Sequence, residues 1–312
     1  MTIQQNQARL GILLALASAI AFSTAGLFTR LITVDVWTIL YWRGLFAGLF
    51  IGGCIIWQQR ARTVAAIRAI GWIGFIPVVC TSLSTICFIN ALRLTDVADV
   101  MVIAATAPFV TAALAWLWTG ERESRVTLGV SAVALAGVAL MFDASLSRDH
   151  LIGNLLACAM TVLISIPKVV IRQRREISML PAASLGAFGC ALAALPAASP
   201  LAPGITDFAY LVLFGTAQFG LGLLLITIAT RLISATRSAL IESLDTPLAP
   251  LWVWLALGET PRLMACVGGA IVMLAVTADM LWSQYGGTAC RIKVTLSSCA
   301  SMVRPRSCAS RQ

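Results

Sequence analysis

Apolar stretches of about membrane length follow one another through most of this chain, separated by short polar breaks. A bilayer core of about 30 Å needs roughly 20 apolar residues to cross it as a helix. The chain is 59% hydrophobic and 11% charged, whereas a water-soluble domain carries about a quarter charged residues. We therefore predict an all-α integral membrane protein with ten transmembrane helices: Leu10–Thr29, Val36–Trp57, Ile67–Leu92, Val97–Trp118, Val126–Phe142, Leu151–Ile171, Ile177–Ala198, Phe208–Thr230, Ala235–Leu257 and Leu263–Trp282.

The second half of the chain repeats the first at an offset of 138 residues. Ile103–Glu121 and Ile241–Glu259 each combine a proline within the apolar run, a tryptophan near its end and a closing Gly-Glu pair. So long a period indicates a duplicated half. Each half holds five predicted helices, an odd number, so the second half must enter the membrane inverted. We predict five-helix repeats over residues 8–143 and 150–283, followed by a disordered tail over 286–312 that is rich in Ser, Cys and Arg.

Lysine and arginine are distributed unevenly between the two sides of this predicted bundle. With the N-terminus in the cytoplasm, the inside segments hold 16 of these residues and the outside segments hold 4. Positively charged connections stay on the cytoplasmic side, so we predict a multi-pass protein of the cell inner membrane with both termini cytoplasmic. This asymmetry explains the net charge of +9, and no nucleic-acid partner is expected.

The duplicated stretches Pro108–Glu121 and Pro247–Glu259, the NALRL run at Asn90–Leu94 and the pair Trp42–Arg43 carry a family resemblance. Over about residues 8–283 the chain resembles the drug/metabolite transporter superfamily, and within it the ten-helix EamA-type permeases. The resemblance implies a helical bundle around a central cavity lined by helices 1, 3, 4, 6, 8 and 9, with helix 2 at the periphery. It also implies transport of small molecules such as amino acids, sugars or nucleotide-like metabolites.

Inverted repeats are a recurring device of secondary transporters, which alternate between two faces around a midplane site. We therefore predict a secondary active transporter of small polar metabolites, and more specifically an exporter of amino-acid-like solutes. Protons or a counter-solute are possible coupling partners, and the expected assembly is a monomer or a weak homodimer. The alternative is a proton-coupled multidrug efflux permease, against which predicted helices 1 and 6 contain no acidic residue.

Two further alternatives, a membrane-embedded enzyme and a non-transporting scaffold, have less support. The sequence contains one histidine, His150, and neither an HExxH motif nor a phosphate-binding loop. We therefore expect no enzymatic activity, no cofactor and no metal site. A non-transporting scaffold would leave the inverted repeat unexplained.

Two basic residues fall within predicted helices, where a charge usually faces the protein interior. Arg43 on helix 2 is a candidate anchor for a substrate carboxylate, because its planar guanidinium suits that geometry. The favoured alternative is an arginine that reaches the interface or braces a neighbouring helix end. Lys168, which follows Pro167 on helix 6, is a second candidate for a substrate carboxylate, although a lysine there can also extend to the headgroups.

The acidic candidates are Glu242 and Asp245, three residues apart on helix 9 and therefore on a shared face. Both are predicted to take part in proton coupling, and Asp245 also in substrate binding. The alternative is an interfacial position in which Glu242 pairs with Arg237 or Arg231.

Neutral polar residues complete the candidate substrate site. Amides and hydroxyls can bind a polar solute or join one helix to another, and the candidates are Asn90, Gln218, Ser23 and Thr24. The prolines Pro108 and Pro247 lie at corresponding depths in the two halves, and we predict that they act as hinges.

Overall fold

The computed structural model describes residues 3–59, 63–95, 97–120, 122–142, 151–174, 176–258 and 263–281, which form helices joined by short turns and loops. Eight of its helices are long and apolar enough to cross a membrane. The prediction of an all-α membrane protein is therefore confirmed. Glu121, Glu259, His150 and the predicted tail over 286–312 lie outside the described residues.

We number the helical segments α1 to α10 and keep one number where a segment is interrupted. They are α1, Ile3–Ser23 and Ala25–Leu31; α2, Val36–Gln59; α3, Thr63–Leu94; α4, Val97–Ala104 and Ala107–Thr119; α5, Arg125–Phe142; α6, Leu151–Gln173; α7, Leu180–Ala194 with the 3₁₀ turn Leu195–Ala197; α8, Ile205–Leu213, the π-helix Phe214–Gly220 and Leu221–Leu232; α9, Ala235–Glu242 and Asp245–Leu257; and α10, Leu263–Leu281. These segments lie along the ranges predicted from the sequence, and α5 and α9 are not among the eight that are long and apolar enough to cross a membrane.

The helices α4 and α9 are interrupted at positions that are 138 residues apart, the offset of the sequence repeat. The breaks fall at residues 105–106 and 243–244. Both helices end on a left-handed glycine, Gly120 with φ 69° and Gly258 with φ 72°, whose N–H donates to the carbonyl of Trp116 or Trp254. Only glycine adopts this conformation without strain. The two Gly-Glu stops therefore begin with the same helix cap.

The interruption expected at the two prolines lies just before each of them. Pro108 and Pro247 fall within the first three residues of the second segments of α4 and α9. A proline is well tolerated there, because its missing N–H belongs to a helix turn that has no intrahelical acceptor. The prolines therefore start new helical segments instead of kinking continuous ones.

Helices from the two halves of the chain pack against each other in matching pairs. Helix α3 packs along α6, and correspondingly α8 packs along α1. Helix α3 also contacts α7, and correspondingly α8 contacts α2. The pairs α2–α7 and α4–α9 join corresponding members of the two halves. The largest apolar core takes residues from both halves, among them Ile12, Val138, Leu240 and Val272. The two halves therefore form one interlocked bundle.

The two ends of the bundle are fastened by polar contacts. At the end that holds the start of α1, which we call the N-terminal face, the carboxylate of Asp279 on α10 accepts from Arg237 Nε at 2.9 Å and from Thr127 Oγ1 at 3.0 Å. At the opposite end, Asp207 on α8 accepts from Thr33 Oγ1 at 2.7 Å. The N-terminal face therefore contains an ion pair between α9 and α10.

Stability should depend strongly on the close approach of α2 to α7. A Cβ atom at Gly44 would lie 2.7 Å from the carbonyl oxygen of Ala187 and 2.8 Å from the backbone nitrogen of Ala191. We expect Gly44→Ala to lower the free energy of unfolding by about 1–3 kcal/mol, because neither backbone atom can move away easily. Thermal unfolding in detergent measures the effect.

The matched control lies on the same helix. Gly53 is exposed and has nothing within 4 Å of an added Cβ. Gly53→Ala should leave stability unchanged or raise it by about 0.5–1 kcal/mol, since alanine restricts the unfolded chain more than glycine does. Equal melting temperatures for the two variants would contradict the packing described for α2 and α7.

Candidate functional site

A cavity of about 360 Å³ lies between α2, α3, α4, α6, α8 and α9. Its walls are largely apolar, with hydroxyl groups from α3, α8 and α9. Four charged residues line it: Arg43, Lys168, Glu242 and Asp245. The cavity therefore brings together all four charged candidates from the sequence.

The breaks in α4 and α9 border the cavity and supply free backbone acceptors. Ala104 and Ser243 line the cavity, and each is followed four residues later by a proline, Pro108 or Pro247. Proline has no N–H, so neither carbonyl can receive its usual helical hydrogen bond. Inside a membrane such groups are tolerated where they line a polar cavity. One residue with such a carbonyl therefore lines the cavity from each half of the chain.

Arg43 enters the cavity from α2 and has no acidic partner among the described residues. Its guanidinium carbon lies 4.4 Å from the ring centroid of Phe219 and 5.5 Å from that of Phe214. Its Nε is buried and forms no hydrogen bond. The aromatic faces stabilise the cation but supply no acceptor. The guanidinium is therefore available to an anion in the cavity.

This position corrects the expectation that helix 2 is peripheral and that Arg43 braces a helix end. The reason lies in the small residues of α8. A Cβ atom at Gly215 would lie 3.1 Å from the carbonyl oxygen of Arg43, and one at Gly220 would lie 3.3 Å from Ala47 Cα. These glycines let α2 approach the backbone of α8, so that Arg43 reaches over Phe219 into the cavity.

Lys168 and Glu242 form an ion pair across the cavity, with Nζ 2.7 Å from Oε2 and side-chain exposures of 13% and 19%. Lys168 therefore points inward instead of extending to the headgroups. Glu242 was expected to pair with Arg237 or Arg231 if it lay at the interface, but Arg237 binds Asp279 instead. Because both charges of the pair are compensated, neither demands a counter-charge from the cavity contents.

Asp245 begins the second segment of α9 and lines the same cavity. Its Oδ1 accepts a hydrogen bond from Thr246 Oγ1 at 3.1 Å. No lysine or arginine in the described ranges forms an ion pair with it. Within the described part of the chain, Arg43 and Asp245 are therefore the two charged cavity residues that form no ion pair.

The neutral candidates from the sequence lie outside the cavity lining. Gln218 is 3% exposed, and its Nε2 donates to the carbonyl of Phe22 at 3.3 Å while Oε1 has no partner. Asn90 donates to the carbonyl of Ile86 at 2.8 Å, one turn earlier in its own helix. Both amides therefore bind helix backbone.

Ser23 and Thr24 lie at the interruption of α1, and their hydroxyl groups also form hydrogen bonds within the protein. Ser23 Oγ donates to the carbonyl of Ile20 at 2.7 Å and accepts from Trp252 Nε1 at 2.8 Å. Thr24 Oγ1 donates to the carbonyl of Ala21 at 2.7 Å. These hydroxyls brace the break in α1. Of the two hinge candidates, Pro108 lines the cavity, whereas Pro247 packs near Gly269.

Several residues that line the cavity were not predicted from the sequence. On α3 they are Thr81, Ser84, Thr85 and Phe88, which recur at helical spacing. That spacing places polar residues on one face of an otherwise apolar helix, so the sequence did contain a signal. Phe219, which supports Arg43, had no such signal because it is one of several aromatic residues in an apolar run.

The acids Asp245 and Asp279 should respond differently to neutralisation. Asp279→Asn removes the charge that compensates Arg237, so we expect the free energy of unfolding to fall by about 1–3 kcal/mol, less than for a fully buried pair because Arg237 is 24% exposed. Asp245→Asn should not destabilise the protein, because that carboxylate has no cationic partner. Thermal unfolding of both variants in detergent tests this, and equal destabilisation would contradict the assigned contacts.

The model of the EamA-like transporter family matches residues 9–143 and again residues 151–278. A solved structure titled only "Crystal structure of protein" is 17% identical, with a TM-score of 0.77 over 87% of this chain and 97% of that chain. At this identity the likeness shows a shared fold alone. A search of curated proteins finds no match. The two family matches cover most of the sequence, and the chain belongs to the EamA-like transporter family of membrane proteins.

Proposed function

We propose that the protein is a secondary active transporter that moves an amino-acid-like zwitterion across the cell inner membrane by alternating access. Membership of a transporter family implies a small-molecule solute and a lipid bilayer. The observation that carries the proposal is the pair of uncompensated charges in one cavity, the cation Arg43 and the anion Asp245.

An isolated charge is expensive to hold away from water. A solute with one carboxylate and one ammonium group compensates both residues at once, since the carboxylate binds Arg43 and the ammonium binds Asp245. The free carbonyls of Ala104 and Ser243 are further acceptors for an ammonium group. An anion or a cation alone would leave one of the two charges uncompensated. The cavity therefore favours a zwitterion over a singly charged solute.

Alternating access is supported by the symmetry of the fold. The breaks in α4 and α9 lie at the offset of the sequence repeat, the helix pairings correspond between the two halves, and the family model matches each half separately. We propose ten transmembrane helices arranged as an inverted repeat over residues 8–143 and 150–283. In such folds the substrate binds between the repeats, at discontinuous helices, and the halves rock around that site.

We further propose that both termini face the cytoplasm, as the distribution of lysine and arginine indicates. The assembly that we propose is a monomer or a weak homodimer. Export is the direction that we expect from the family resemblance, with Asp245 exchanging a proton for the solute ammonium. No catalysed reaction is part of this proposal.

The alternative of proton-coupled multidrug efflux rests on the same acid, because a cationic drug would bind Asp245. The cavity argues against it, since Arg43 also lines the site, repels a cation and would keep its charge uncompensated. Movement of an organic cation without movement of zwitterions would favour this alternative.

Flux through proteoliposomes tests the proposal. We expect movement of one or more radiolabelled zwitterionic amino acids, and at least about tenfold weaker transport of the corresponding amides and des-amino acids, because each leaves one charge uncompensated. Arg43→Gln should reduce kcat/KM for the zwitterion by about tenfold or more. The matched control, Arg174→Gln, removes an exposed arginine beyond α6 and should leave transport unchanged. Absence of zwitterion flux through the folded wild-type protein would overturn the proposal.

Coupling to protons has its own test. An imposed pH gradient should drive accumulation of the zwitterion in wild-type liposomes. In Asp245→Asn liposomes it should not, because the amide cannot exchange a proton. Equal stimulation of both proteins by the gradient would remove Asp245 from the coupling role.

A further inference from the structure

The Lys168–Glu242 ion pair lies beside the break in α9, and the proposed binding of the solute does not require it. Glu242 is the last residue before the break in α9, and Lys168 follows the proline of α6. Their contact at 2.7 Å therefore joins α6 to the first segment of α9 at the level of the break. Any movement that separates these two helices must first separate the two charges.

The pair lies on the side of the cavity toward the N-terminal face. Lys168 is near the end of α6, and the segment Ala235–Glu242 starts at that face, where Arg237 binds Asp279. We call the contact between α6 and α9 a seam. Opening the cavity toward the N-terminal face by separating these two helices therefore requires the ion pair to break.

Among the described residues, no ion pair lies at the equivalent place in the other half of the fold. Exchange of the halves relates α6 and α9 to α1 and α4, and the break in α4 is bordered by Ala104, Ala105 and Ala107. Between Leu10 and Thr29, α1 has no charged residue. There Val102 and Ala105 of α4 pack against the largest apolar core, to which α1 contributes Ile12, Ala15 and Ala19. The two positions therefore differ in charge.

We propose that Lys168 and Glu242 lock the empty carrier shut toward the N-terminal face, and that a bound zwitterion releases the lock. Separating the pair in the empty cavity leaves two uncompensated charges. With solute bound at Asp245, three residues from Glu242, the ammonium group gives Glu242 a second cationic partner. The pair therefore sets the conformational equilibrium of the empty carrier. This inference rests on the proposed transport function and adds its regulation.

Hydrogen–deuterium exchange of the empty protein in lipid nanodiscs tests the lock without any solute. We expect Lys168→Met combined with Glu242→Gln, which leaves no uncompensated charge, to speed backbone exchange in 235–242 by about tenfold. The charge-swapped variant, Lys168→Glu with Glu242→Lys, should restore slow exchange. The control, Arg174→Met with Glu176→Gln, removes two exposed charges just beyond α6 and should behave as wild type.

The proposal is overturned if 235–242 exchanges at the wild-type rate in the neutral variant, or if the swapped variant exchanges as fast as the neutral one. It is also overturned if α2 and α7 accelerate equally, because that result indicates general destabilisation.

Flux separates this inference from the proposed function. In wild-type liposomes, exchange of labelled leucine for unlabelled leucine should exceed its net efflux, and the neutral variant should bring the two rates together. Equal rates in the wild-type protein would contradict the lock. If no amino acid moves through the wild-type protein, the proposed function fails, whereas hydrogen exchange still decides whether the pair closes the seam.

Discussion

The cost of holding a charge inside an apolar helix bundle is the constraint on which this structure depends. Two of the four charged residues in the cavity, Lys168 and Glu242, compensate each other at 2.7 Å. The other two have no ion-pair partner among the described residues: Arg43 packs against aromatic rings that offer no acceptor, and Asp245 accepts a hydrogen bond from the hydroxyl of Thr246. Stacking on Phe219 offsets part of the free-energy cost of holding the Arg43 guanidinium away from water. A bound solute with an anionic group can offset the rest. In the proposed function, the unpaired charges bind the solute and the paired charges hold two helices together.

The charged residues lie in a cavity that is bordered by the two repeated helix breaks. The helix breaks at residues 105–106 and 243–244, with the proline that follows each, open two backbone carbonyls to one cavity. Both breaks come from the same duplicated sequence pattern, yet only one of them carries acids. In the proposed alternating access, the symmetry of the repeats lets the two sides of the bundle close in the same way. The asymmetry of Glu242 and Asp245 against alanines in α4 makes the two closures chemically different.

Much of the fold could be predicted from the sequence, because hydrophobic length and the repeat are local signals. The ten segments and the equivalence of α4 and α9 follow from these signals, and Asp245 was identified as an acid on the more charged of the two helices. The place of Arg43 could not be predicted. It depends on how closely α2 approaches Gly215 and Gly220 of α8, which are far away in the sequence. Gln218 failed as a cavity residue for a similar reason: it binds the carbonyl that the break in α1 exposes at Phe22, and nothing in the sequence predicted that partner.

The central claim is that Arg43 and Asp245 select a zwitterion by charge compensation. Ligand-induced thermal stabilisation across amino acids, their amides and their des-amino acids tests it most directly in the wild-type, Arg43→Gln and Asp245→Asn proteins. The account predicts that only zwitterions raise the melting temperature of the wild-type protein. It also predicts that des-amino acids stabilise Asp245→Asn and that amides stabilise Arg43→Gln. The same ranking of ligands in all three proteins would contradict the claim.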